Sequence, residues 1–289
     1  MNGILLIDKP PLWTSNDVVS KLKGVLKERR IGHSGTLDPL ATGLLAVFAG
    51  RATRAVSFAE SHDKRYTAAL RLGLRTDTQD ISGNVISKGQ TDVKDEELDR
   101  VLSCFVGEIE QTPPMYSAVR VNGKRLYELA RKGIEVERKP RKITVYSIER
   151  KGRESGDIVL DIKCSKGTYI RTLCSDIGEM LGCGACMSAL RRTEAGMFSV
   201  ENAYTLDEVI REAEIGNVSS LLLPTEIIFS EYERITVSAS AEAKVRNGNP
   251  VSFSAPDGTY RVCSQQGEFL ALGKCEDGIM KTIKSFFEV

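Results

Sequence analysis

The stretch Gly32-His33-Ser34-Gly35-Thr36-Leu37-Asp38-Pro39-Leu40-Ala41-Thr42-Gly43 constrains this chain more than any other segment. It sets one carboxylate, Asp38, among three glycines and a proline, with His33 as the one other ionisable group. Glycine admits positive φ and close approach of a neighbour, and Pro39 fixes the backbone just after the acid. Such a run is a poor helix and a poor strand, so it predicts a rigid loop holding Asp38 at the edge of a cleft. On composition alone the commoner outcome is an aspartate that closes a turn onto its own backbone.

Around that loop the pattern alternates between short strands and helices. Residues 3–7 read as a buried strand, and residues 15–29 as a helix with Val18, Val19, Leu22, Val25 and Leu26 on one stripe. Ser15 or Asn16 suits its N-cap, and Lys27, Arg29 and Arg30 suit its C-terminal end. The apolar run 44–49 fits a buried strand or a helix start equally well. Residues 65–72 read as a strand that includes Tyr66, residues 77–83 as a turn, and residues 94–106 as a helix stopped by Gly107. Residues 143–148 and 158–164 predict paired strands, Gly167-Thr168-Tyr169-Ile170-Arg171 leads into a helix to about residue 181, and Thr205-x-x-Glu208 is a capping box.

With 289 residues, 41% hydrophobic and 27% charged, the chain has the composition of a globular protein with a sizeable core. No apolar run approaches a membrane span, and the N-terminus lacks the basic start and long apolar core of a secretory signal. Seven cysteines, an odd number, fit free thiols in a reducing compartment, so a cytoplasmic location is expected. Cys183-Gly-Ala-Cys186 is one C-x-x-C pair, but neither histidine forms a paired ligand motif, and no metal is assigned. There is no P-loop run and no dinucleotide fingerprint, so no cofactor is expected either.

The formal net charge of +1 hides an asymmetry. Residues 112–153 hold twelve lysines and arginines against four acids, a local charge of +8. Tyr116, Tyr127, Tyr146 and Pro113-Pro114-Met115 interleave with them, a mixture suited to phosphate contacts and base stacking. Residues 111–142 read as a basic arm with a turn at Asn122-Gly123 and a short helix at 124–132, of the kind that often orders on binding. Beyond residue 231, strand-like pieces at 234–237, 259–262, 268–272 and 280–283 between glycine turns predict a small β-barrel that packs on the main body.

The Asp38 run closely resembles the catalytic-aspartate signature of the TruB-type tRNA pseudouridine synthases. Asp63-Lys64-Arg65-Tyr66, Pro113-Pro114-Met115-Tyr116-Ser117-Ala118 and Lys166-Gly167-Thr168-Tyr169-Ile170-Arg171 resemble further motifs of that family, in the right order. The resemblance covers most of residues 1–230. It implies an α+β fold with a mixed, largely antiparallel sheet: a catalytic domain over 1–230, with the RNA-binding arm at about 111–142, and a PUA-like RNA-binding barrel over 231–289. It also implies an isomerase that converts the T-loop uridine at position 55 of tRNA to pseudouridine. Asp38 would be the catalytic carboxylate, acting on C1′ or as a base on the ribose, with Arg171 as its ion-pair partner and Tyr66 stacked on the base. His33, Arg54, Tyr169 and Leu190 would contact the RNA or the uracil pocket. The tRNA T-arm is the implied partner, with no membrane, no obligatory protein partner and a monomeric state. A guide-dependent relative acting on ribosomal RNA, or a non-catalytic RNA-binding or tRNA-folding protein, are the alternatives.

Overall fold

Side chains alternate along Lys64–Leu72: Lys64, Tyr66, Ala68, Leu70 and Leu72 are buried, while Arg65, Thr67, Ala69 and Arg71 are half-buried. That period of two makes this strand the axis of the main sheet, one face on the core and the other partly wet. The structure, a computed structural model, describes residues 1–121 and 123–287; Asn122 of the expected turn lies outside them. Among the described residues the main sheet runs Gly3–Lys9, Thr42–Ala49, Ala185–Ala195, Lys64–Leu72, Asp157–Cys164, Arg141–Glu154 and Gly107–Gln111. Ile31–His33 also pairs with Thr42–Ala49, and Phe198–Ser199 with Ala185–Ala195. Only the contact of Ala185–Ala195 with Thr42–Ala49 is parallel, so the sheet is mixed and largely antiparallel, as expected.

The ambiguous run at 44–49 is a strand, and its burial says why. Leu44, Ala46 and Phe48 enter one core with Phe229 and Phe286, while Leu45, Val47 and Ala49 enter another with Val18 and Leu22. A strand covered on both faces reads as a continuous apolar run rather than an alternating one. Gly43 sits at φ 94°, and a Cβ there would stand 2.3 Å from the Arg192 carbonyl oxygen. Only glycine therefore permits the parallel contact that joins the two halves of the sheet.

Two helical expectations are corrected. The first helix is Ser15–Val25, shorter than 15–29, and its N-cap is Thr14 in a capping box with Asp17, not Ser15 or Asn16. Ser15 is thereby free to bind the loop instead. Its hydroxyl accepts from Leu37 N at 2.8 Å and donates to Leu37 O at 3.2 Å, beside Asp38. The arm helix is Leu126–Ala130, shorter than 124–132, and it is tied at its root. Leu126 is fully buried, its N–H donates to Val119 O, and Tyr127 N–H donates to Ser117 O. The Thr205–Glu208 capping box is present as expected.

The C-terminal strands form a second sheet, ordered Glu233–Thr236, Gly258–Cys263, Phe269–Glu276, Ile279–Ser285 and Val251–Ser252, curled as a half-barrel. The helix Ala239–Arg246, which the sequence pattern does not anticipate, packs against it. Phe229 joins the two sheets. Its ring lies 5.0 Å from Phe58 and 5.3 Å from Phe286, within the same core as Ile4, Leu6 and Phe48. Phe229→Ala is expected to cost about 3–5 kcal/mol of stability by urea denaturation. A loss below about 1 kcal/mol would show that the rings do not couple the sheets.

Candidate active site

The Asp38 loop is pinned from several elements. Ser15 clasps Leu37, Leu12 N–H donates to Pro39 O at 2.8 Å, and Ser34 N–H donates to Ala46 O at 3.0 Å. The buried Arg192 guanidinium donates to Gly35 O at 3.1 Å and to Leu44 O at 2.7 Å. Gly35 stands at φ 86°, and a Cβ there would come within 3.3 Å of Arg192 Nη1. The glycines thus serve a tight loop laid on a buried arginine, and Asp38 is more than a turn-closing residue.

Arg171 is the second residue of the helix Ile170–Met180 and is only 4% exposed. Its Nε lies 2.9 Å from Asp38 Oδ2, and Nη2 donates to Asp38 Oδ1 at 3.3 Å. Nη2 also donates to Tyr116 O at 2.7 Å, Nη1 donates to Thr78 O at 3.0 Å, and Nη1 faces Asp80 Oδ2 at 3.6 Å. The guanidinium thus makes three hydrogen bonds, to Asp38, Thr78 and Tyr116, and ion pairs with Asp38 and Asp80. The two-pronged contact fixes the plane of the carboxylate as well as its position. Burial at the cleft floor raises Asp38 above the ordinary carboxylate range, and Arg171 pulls it back toward ionisation. Yet 37% of the Asp38 side chain stays open to the cleft, so the carboxylate is held without being covered.

The cleft has a volume of about 710 Å³ and is lined by Asp38, Tyr66, Tyr169, Arg171 and Leu190 together. These five residues come from four segments far apart in the chain, and the sheet brings them to one place. Tyr66 and Arg192 are cross-strand partners, which puts both side chains on the same face. Burial raises the Tyr66 phenol above its usual value while the Arg192 charge pulls it down. Gln111 clamps Tyr169 at both backbone atoms: its Nε2 donates to Tyr169 O at 3.0 Å, and its Oε1 accepts from Tyr169 N at 2.8 Å.

His33 and Arg54 do not line this cleft. His33 lies on the edge strand Ile31–His33, where burial lowers its pKa and Nδ1 has no hydrogen-bond partner among the described residues. Arg54 points to the second sheet, donating from Nη1 to Ser285 O at 3.0 Å and to Ser285 Oγ at 2.6 Å. Cys183 and Cys186 form no disulfide, and burial pushes the Cys186 thiol up to about 11, which leaves it unreactive at neutral pH.

Four residues at the site escape sequence reasoning. Asp80 sits in a polar turn that looks like nothing more, accepting from Thr78 Oγ1 at 2.8 Å and Ser82 N at 3.0 Å while facing Arg171. Lys9 and Lys64 are buried and donate to backbone carbonyls alone, and burial lowers each ammonium to about 8. Arg192 makes no ion pair among the described residues and is 1% exposed. For Lys9 the available signal is a charge at the end of the apolar strand Gly3–Lys9; the other three lie in polar surroundings and give none.

Residues 23–170 match the family described as TruB family pseudouridylate synthase (N terminal domain), and residues 171–230 match the tRNA pseudouridylate synthase B C-terminal domain. The chain is 41% identical to the tRNA pseudouridine synthase B of Clostridium kluyveri over 99% of this chain and 100% of the relative. It is 42% identical to that of Escherichia coli K12 over 96% of this chain and 92% of the relative. Among solved structures it is similar to a chain of a Cbf5-Nop10-Gar1 complex, with a TM-score of 0.75 and 29% identity over 99% of this chain and 85% of the other. A chain of an H/ACA RNP bound to a substrate RNA containing 2′-deoxyuridine has a TM-score of 0.73 and 27% identity, again over 99% and 85%.

Arg171→Ala strands two carboxylates and two carbonyls at a buried point. It is expected to cost about 3–5 kcal/mol by denaturant melts, and a change within about 1 kcal/mol would contradict the network. Lys64 gives a pH signature. Between about 8 and its ordinary 10.5 the unfolded lysine holds a proton that the folded one has released, so stability rises with pH across that window. The stability of wild type relative to Lys64→Met is expected to grow over the same interval. A pH-independent difference would show that the ammonium is not desolvated.

Proposed function

Because this chain belongs to the TruB family of pseudouridylate synthases, we propose that it is a tRNA pseudouridine synthase whose target is the T-loop uridine at position 55. The reaction breaks the C1′–N1 bond of uridine, turns the uracil and joins C1′ to C5; C5 loses a proton and N1 gains one. Substrate and product are isomers, so the atoms balance with no redox partner or energy donor. What the protein must supply is an extruded uridine, a rigid carboxylate beside its ribose, and a surface that holds the freed base.

The observation that carries this reading is the two-pronged Arg171–Asp38 contact on the floor of a cleft large enough for a nucleoside. Asp38 acts there on C1′ or as a base on the ribose, its plane fixed by Arg171, whose charge opposes the rise that burial causes. Tyr66 offers its ring to the uracil, and Leu190 and Tyr169 close the apolar wall. A uridine within the T-loop reaches the carboxylate only after flipping out of its stack. The arm supports that step: it carries much of the local positive charge, and Tyr116 O ties its root to Arg171. The curled second sheet is a further RNA contact, and the monomer in the cytoplasm is the working form.

Wild type is expected to form pseudouridine at the T-loop uridine of an unmodified tRNA transcript without guide RNA or added protein. Asp38→Asn is expected to lower turnover by about 10²–10⁴-fold or more while tRNA affinity stays within about threefold. Product at another position would overturn the assigned target. Tight binding without product in wild type would favour a tRNA-folding protein.

A further inference from the structure

Leu12 stands in the left-handed region at φ 67°, a conformation that leucine adopts at a steric cost and glycine does not. The fold imposes it. Leu12 N–H is drawn to Pro39 O at 2.8 Å, one residue past Asp38, and Pro10 and Pro11 stiffen the approach. Burial does not offset the strain, because Leu12 is 83% exposed, the highest value among the large apolar side chains of the described residues. An exposed leucine is ordinary, and so is a strained residue inside a core. A strained leucine held out into water, against the catalytic loop and lining the cleft, is neither. Tyr127 and Arg131 of the arm line the same cleft, with the Arg131 guanidinium 5.4 Å from the Tyr127 ring centroid.

We propose that Leu12 is a docking side chain for a nucleobase of the substrate RNA, covering the face of a base next to the extruded uridine. This rests on the reading that a tRNA uridine enters the cleft. Extrusion leaves neighbouring bases with an exposed face, and an apolar side chain placed against one shields it from water. Leucine has no donor for a phosphate, so its partner is a base face, while the arm's lysines and arginines serve the backbone. The hydrogen bond from Leu12 N–H to Pro39 O fixes the backbone beneath the side chain before RNA arrives, so little backbone freedom is lost on binding.

Leu12→Gly separates this role from folding, because it relieves the strain. Its melting temperature is expected to be unchanged or raised by about 2–4 °C. Its Kd for a T-arm stem-loop is expected to rise about tenfold, the loss of one base-covering contact. Leu12→Met is expected to stay within about threefold of wild type. With stem-loops made abasic on the 5′ or the 3′ side of the target uridine, wild type and Leu12→Gly are expected to bind alike in one of the two. An unchanged Kd in Leu12→Gly, or a defect that persists on both abasic RNAs, would overturn the proposal. Wild type that neither binds nor modifies tRNA would instead remove the tRNA reading beneath it.

Discussion

A buried guanidinium needs hydrogen-bond acceptors and opposite charge around it, and around Arg171 that requirement organises the cleft. The partners come from the Asp38 loop, the Asp80 turn and the root of the arm, so one side chain ties three segments at a single point. A lysine would place a charge there but could not fix the carboxylate plane or reach all three segments at once. Leaving one acceptor unanswered costs more than any single contact contributes, which makes the arrangement close to all-or-none.

The main sheet prepares the place where this happens. Its parallel contact at Arg191 and Arg192 against Thr42 and Gly43 brings the strand leading out of the Asp38 loop beside the strand that carries Leu190. Arg192 then holds the loop from below while Arg171 holds the carboxylate from the side. Lys9, Lys64 and Arg192 donate to backbone carbonyls rather than to carboxylates, so their charges are not cancelled by an ion pair. Of these, Lys9 also acts on Asp38, its charge opposing the rise that burial causes.

Much of this was legible in the sequence. The middle of the Asp38 run, residues 34–41, is a loop, though its ends Gly32-His33 and Thr42-Gly43 are strand; Tyr66, Tyr169, Arg171 and Leu190 do meet Asp38 in one cleft. The strand Ala185–Ala195 was not legible. It has register shifts near Met187 and near Arg192, so its alternation slips, and it buries an arginine where the pattern calls for an apolar residue. Asp80 was hidden because an aspartate in a polar turn looks the same whether it caps the turn or faces a distant arginine. Arg54 illustrates the converse: its sequence position says nothing of the partner that the fold delivers, here Ser285 from the far end of the chain. The helix Ala239–Arg246 escaped because only Val245 on it is buried, too thin a stripe for periodicity to reveal.

The most direct test of the account is single-turnover pseudouridine formation by Arg171→Lys on an unmodified tRNA transcript, with tRNA binding measured on the same preparation. If Arg171 matters by fixing the plane of Asp38, the rate falls by about 10²-fold or more while binding stays within about threefold. A variant that reacts as fast as wild type would contradict the claim that this guanidinium organises the site.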